Sequence, residues 1–198
     1  MKKLVFIRHG EAEIDSKSSY LGWTDVELSR KGIEQSYQTK EKLKELESEI
    51  SQLYSSPLMR TAQTAKIINA EYDLSIKYSN YLKEINFGKW EKMEHKEIAW
   101  NYPREYDMWI KDWTNFVMPE GESAVQAYTR NCKFVDSILQ NNTFGTFVIV
   151  THAGTIRNIV SYLLGMKIED TWKFKINHGS ITIIEMIDNY PVLTLLGG

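Results

Sequence analysis

Cysteine is almost absent: Cys132 is the only one in the chain, which excludes an internal disulfide and any cysteine-built zinc module and fits a reducing compartment. Neither sign of charge is in excess, since 24 Lys and Arg against 26 Asp and Glu leave a formal net charge of −2. No broad basic footprint for nucleic acid or an anionic membrane is therefore expected. No stretch approaches the ~20 consecutive apolar residues of a membrane span. The apolar run at residues 4–7 is too short for a secretory signal, so a cytoplasmic address is expected. Only 4 prolines and 11 glycines occur, with no repeat or low-complexity tract, which excludes fibrous and disordered classes. What remains, at 42% hydrophobic and 198 residues, is a globular chain read as one domain spanning 1–198.

Two short apolar runs dominate the pattern. LVFI at 4–7 ends at Arg8-His9-Gly10, and FGTFVIVT at 144–151 ends at His152-Ala153-Gly154. Each reads as a strand buried on both faces and then a loop. Helical sequence follows both, from Lys31 towards Leu46 behind a Ser29 cap, and from Thr155 to Leu164 ahead of Gly165. A third short strand at 50–54 leads into Ser55-Ser56-Pro57, where the proline suits the first turn of a helix carrying Arg60 and Thr64. Residues 76–82 make a weaker fourth strand, and 180–187 with 192–196 read as a hairpin. The pattern predicts an α/β fold with a mostly parallel sheet and an antiparallel edge. Residues 90–118 form an aromatic-rich insert containing Trp90, Trp100, Trp109 and Trp113.

Ligands of open α/β sheets sit beyond the carboxyl ends of the parallel strands. Arg8, His9, Arg60, Glu84 and His152 all fall at such ends and should converge. Arginine forks bind phosphate oxygens, and a glycine such as Gly10 lets the backbone approach an anion. One imidazole can attack phosphorus while the other, held protonated, shares the charge, and a carboxylic acid protonates the departing oxygen. Arg8 and Arg60 should keep His9 neutral. The same cations disfavour a metal, and no third ligand has suitable spacing. Arg157 reads as a structural salt-bridge former, and His95 and His178 as surface or rim residues. The tryptophans of the insert fit either a small core or a stacking platform.

Arg8-His9-Gly10-Glu11, the Leu28-Ser29-x-x-Gly32 turn, Ser55-Ser56-Pro57-Leu58-x-Arg60-Thr61-x-Gln63-Thr64-Ala65, Leu82-x-Glu84-x-x-Phe87-Gly88-x-Trp90-Glu91 and Thr151-His152-x-Gly154 occur in this order. Together they resemble the histidine phosphatase, or phosphoglycerate mutase-like, superfamily. The resemblance implies a three-layer α/β/α sandwich and a covalent phosphohistidine. It casts His9 as nucleophile, Glu84 as proton donor, and Arg8, Gly10, Arg60, His152 and Ala153 as the phosphate pocket, with no metal and no cofactor. A narrower resemblance, to α-ribazole phosphatases of cobalamin biosynthesis, is carried by the Phe87 to Glu91 block, Trp109, Trp113, the Glu120-Gly121-Glu122 turn and Trp172-x-Phe174 before Gly179. It implies a small phosphorylated metabolite, α-ribazole 5′-phosphate, with Trp90, Trp109 and Trp113 at the substrate rim. A broad-specificity or sugar-phosphate phosphatase is the alternative, with a phosphoglycerate mutase further off. The oligomeric state is left open, a homodimer being one option. Ala12 and Asp15 depart from the family pattern, which has Thr or Ser and then Asn, and an anionic Asp15 is expected to oppose phosphate.

Overall fold

Alternation along the two apolar runs builds both sides of the core. The structure, a computed structural model, describes residues 1–14, 19–47, 49–141 and 144–198, so Asp15 lies outside the described residues. The elements in chain order are β1 (Lys2–Arg8), α1 (Arg30–Leu46), β2 (Gln52–Ser55), α2 (Met59–Asn69), β3 (Ile76–Tyr78), α3 (His95–Asn101), α4 (Pro103–Lys111), α5 (Ala124–Asn141), β4 (Gly145–Thr151), α6 (Ala153–Leu163), β5 (Ile181–Ile187) and β6 (Tyr190–Leu195). Successive side chains of a strand point to opposite faces. Leu4 and Phe6 of β1, with Phe147 and Ile149 of β4, meet Phe134 and Val135 of α5 and Ile156 and Val160 of α6. Val5 and Ile7, with Val148 and Val150, turn the other way onto Leu43 of α1 and Ala65 and Ile68 of α2. The four β1 side chains from Leu4 to Ile7 are fully buried, at roughly 1.5–3 kcal/mol of hydrophobic stabilisation for each. The result is the expected three-layer α/β/α sandwich.

The sheet order is β3-β2-β4-β1-β5-β6. The first four strands run parallel, and β5 and β6 complete the sheet as antiparallel neighbours. The β5–β6 turn is made by Asp188 and Asn189, both at positive φ, which short polar side chains tolerate. Several boundaries differ from expectation, among them β2, which runs from Gln52 to Ser55, and β6, which begins at Tyr190. β3 ends after three residues and the chain passes into a 3₁₀ turn at Asn80–Leu82, because the carbonyls there are taken by side chains instead of a neighbouring strand. Pro57 lies ahead of α2, whose cap position is the extended Leu58.

The aromatic insert builds a small cluster of its own. Trp90, Ile98 and Met118 are buried at its centre, with Tyr20, Phe87, Tyr102, Tyr106, Trp109 and Phe116 packed around them. Trp100, at 86% exposed, stays outside. Among the described residues no helix is long and apolar enough to cross a membrane.

Candidate active site

Because β1 and β4 are adjacent and in register, with Arg8 opposite Thr151, the residues that follow each strand emerge side by side. The rings of His9 and His152 meet edge to face with centroids 5.0 Å apart. Nδ1 of His9 donates to the Gly10 carbonyl at 2.6 Å, which fixes the tautomer and leaves Nε2 with a free lone pair. His152 is fully buried, with Nε2 3.0 Å from the Ser56 hydroxyl. Its Nδ1 has no hydrogen-bond partner among the described residues. Arg60, projecting from α2, is also fully buried and donates from Nη1 to the Thr24 carbonyl at 2.9 Å and from Nη2 to the Gly22 carbonyl at 2.6 Å. Arg8 donates to the Ile176 carbonyl at 2.9 Å. The Glu84 carboxylate accepts from the Gly154 amide at 2.9 Å and from the Ile85 amide at 3.0 Å. A Cβ at Gly154 would fall 2.3 Å from Oε1 of Glu84, so only glycine allows that approach.

Burial pushes His9 well below its ordinary value, and the charges of Arg60 and Arg8 push it further, so the imidazole is neutral as expected. The expectation that His152 is held protonated is not met. Burial, followed by the charges of Arg60, His9 and Arg8, drives it down as well, and among the described residues no carboxylate offsets them. Stability should respond. The unfolded rings take up a proton near the ordinary value of 6.5 while the folded ones do not, so their contribution is complete above pH 6.5 and is lost as pH falls. Each ring is expected to remove up to about 1.4 kcal/mol per pH unit below 6.5. Glu11 and Glu71, held below their ordinary 4.5 by Lys31 and Lys44 respectively, act only around and below that value. Denaturant midpoints should therefore fall between pH 7 and 5, less steeply in His152→Gln, and a flat profile would contradict the two neutral rings.

A cleft of about 430 Å³ opens from this point. Arg8, His9, Glu84, Ala153 and Gly154 line its inner end, and Tyr20, Phe87, Trp109, Trp113, Met118 and Trp172 line its walls. Arg60 and His152 are not among the residues that line it. Gly10 is turned away. Its amide donates to Thr64 at 3.3 Å, and a Cβ there would fall 2.1 Å from the Gly32 carbonyl, so the glycine serves a contact with α1 instead of an approach to the cleft. Trp90 is not at the rim either, because it is buried against Phe116, the rings stacked at 5.6 Å. Trp109 packs edge-on against Trp90 and still reaches the cleft, while Trp113 pairs with Trp172.

Some residues around the site escaped sequence reasoning. His178, read as a surface or rim residue, has its ring 5.6 Å from that of His9 and its Nε2 against Nη2 of Arg8. It arrives there because the Gly179 amide donates to the carbonyls of Arg8 and His9 at the start of β5. The one available signal was its position just ahead of a strand destined to lie beside β1. Arg157 forms no salt bridge among the described residues; Nε donates to the Phe174 carbonyl at 2.9 Å and the guanidinium lies 4.9 Å over Trp172. His95 is held in the aromatic insert by Tyr106. Among the described residues no group of three or more His, Cys, Asp or Glu side chains is placed to hold a metal ion.

The chain is similar in sequence and fold to known phosphatases. Phosphoserine phosphatase 1 of Hydrogenobacter thermophilus is 29% identical over 196 residues, covering 99% of this chain and 92% of that protein. The crystal structure of the alpha-ribazole phosphatase from Shigella flexneri superposes with a TM-score of 0.92 at 25% identity, covering 99% and 96% of the two chains. A phosphoserine phosphatase mutant from Entamoeba histolytica, solved in complex with phosphoserine, gives a TM-score of 0.85 at 30% identity, covering 100% and 98%. The family model of the histidine phosphatase superfamily (branch 1) matches residues 4–197, and the chain belongs to that superfamily.

Proposed function

We propose that the chain hydrolyses phosphomonoesters through a phosphohistidine on His9 and that its substrate is α-ribazole 5′-phosphate. Nε2 of His9 attacks phosphorus, the bond to the alcohol oxygen breaks, and Glu84 gives that oxygen its proton. Water then attacks the phosphohistidine as the Glu84 carboxylate takes a proton, which returns neutral His9 and inorganic phosphate. Arg8 and Arg60 supply fixed positive charge to the transferring group. His152 offers a ring N–H, and a phosphate dianion beside it favours the imidazolium.

The observation that carries the substrate is the aromatic wall of the cleft, where Trp109, Trp113 and Trp172 face a space of about 430 Å³, room for a flat benzimidazole beyond the ribose. Ring stacking contributes ~1–3 kcal/mol, so Trp109→Ala or Trp113→Ala should cost about 5- to 150-fold in kcat/KM for α-ribazole 5′-phosphate and less for p-nitrophenyl phosphate. Equal losses on both would argue against a stacking platform. Arg157 favours a second reading: a guanidinium lining the cleft that forms no salt bridge among the described residues suits a substrate that brings a carboxylate, such as phosphoserine. A screen of α-ribazole 5′-phosphate, phosphoserine, 3-phosphoglycerate and fructose bisphosphates decides between them, and a preference for any of the last three removes the ribazole assignment.

A further inference from the structure

Four consecutive carbonyls lead up to the Glu84 side chain, and each receives a side-chain donor from a distant part of the chain. Tyr81 accepts from Asn131 at 2.7 Å, Leu82 from Thr151 at 2.6 Å, Lys83 from Thr155 at 3.0 Å and Glu84 from the Trp23 indole at 2.8 Å. One further residue, Arg130 of α5, reaches three of the four. Its Nη1 donates to Tyr81 and Lys83 at 3.1 and 2.7 Å, and its Nη2 donates to Glu84 at 3.0 Å. The guanidinium is itself aimed by Glu122, with Nη2 and Oε1 2.6 Å apart. The same carboxylate accepts the Asn86 amide at 2.9 Å, so the pair grips the chain on both sides of Glu84. Both side chains are only 16% exposed, unlike a solvated surface pair.

The segment between the 3₁₀ turn at Asn80–Leu82 and Asn86 belongs to no strand, so nothing in the sheet ladder holds it. A proton donor has to sit within hydrogen-bond reach of the departing oxygen, and small misplacements are costly. We infer that Arg130 is a positioning residue that holds the Glu84 backbone where the carboxyl meets the leaving oxygen. The inference rests on the reading of Glu84 as the proton donor. The two claims separate experimentally, because an alkyl leaving group needs the proton and p-nitrophenolate hardly does.

The test compares kcat/KM, which reports the step that breaks the phosphorus–oxygen bond, for p-nitrophenyl phosphate and for the best alkyl phosphate found in the screen. Arg130→Met is expected to lower the alkyl value about 10- to 100-fold and the p-nitrophenyl value by less than about 3-fold, a fraction of the full general-acid effect. Vanadate inhibition, which reads the phosphate pocket, should stay within about 3-fold. Arg130→Lys, which keeps the charge but cannot span three carbonyls, should show the same selective loss in smaller degree and is the variant read if the methionine protein does not fold. Equal losses on both substrates, weakened vanadate inhibition, or no loss in either variant would overturn the inference. Glu84→Gln is measured alongside. If it shows no leaving-group selectivity, the proton-donor reading fails, whereas selectivity in Glu84→Gln but not at Arg130 removes the positioning role alone.

Discussion

Replacing His9 by alanine is expected to lower kcat/KM on the order of 10⁴- to 10⁶-fold, the scale on which loss of a covalent nucleophile acts. The size follows from what is lost. The Gly10 carbonyl holds the ring by Nδ1, so Nε2 is a neutral lone pair, and the charges of Arg60 and Arg8 keep it unprotonated. No other nucleophile among the residues lining the inner end of the cleft is as well placed, since Glu84 is already held by the Gly154 and Ile85 amides. Rapid quenching with labelled substrate should trap phosphate on the native enzyme that is acid-labile and base-stable, and none on the alanine variant. Full activity in that variant, or label on another residue, would sink the assignment.

Arg60→Met should act at three levels together. Two carbonyls, the buried one of Gly22 and the half-buried one of Thr24, lose their guanidinium donors, at about 1.5–3 kcal/mol for each charged hydrogen bond. Loss of a fixed cation at the transferring phosphoryl group should lower kcat about 10²- to 10³-fold. The third effect is diagnostic. After burial, Arg60 is the largest influence holding both His9 and His152 down. Its removal raises both folded values towards 6.5, while burial still keeps them below it. The acidic limb of kcat/KM therefore moves to higher pH, because His9 begins to protonate sooner. A variant that loses activity with its pH profile unmoved would show Arg60 to be structural only.

The parts of the fold that were legible are those where one physical signal dominated. LVFI and FVIV read as strands buried on both faces, and the carboxyl ends of parallel strands share one edge of the sheet, so His9 and His152 are expected on that edge. Ser29 was readable as a cap because its hydroxyl accepts from the Gly32 amide, a purely local bond. What stayed hidden depends on contacts far apart in sequence. His178 reaches Arg8 only because β5 runs antiparallel beside β1, and Arg130 matters only because α5 packs against the turn at residues 80–82. The downward pull on His152 comes from its full burial, a property of the assembled core that no local pattern carries. The insert resolved both ways: Trp90 is interior, Trp109 belongs to the cluster and the cleft at once, and Trp113 faces the cleft.

The backbone contact between the His9 loop and α1 bears on how this scaffold can change over time. A Cβ at Gly10 would fall 2.1 Å from the Gly32 carbonyl, and one at Gly32 would fall 2.0 Å from the Glu11 carbonyl. In each case main chain opposes main chain, so no rotamer can yield and no compensating side chain exists. The two positions are therefore closed to stepwise drift: a change at either is harmful alone, and a change at both is worse. Selection for a new substrate has to work elsewhere, and the aromatic wall, where Trp113 and Trp172 meet only side chain to side chain, is the surface on which ring size and polarity can be traded one residue at a time. The nucleophile loop is in that sense an inherited constant, and the cleft wall is where diversification of activity is structurally affordable.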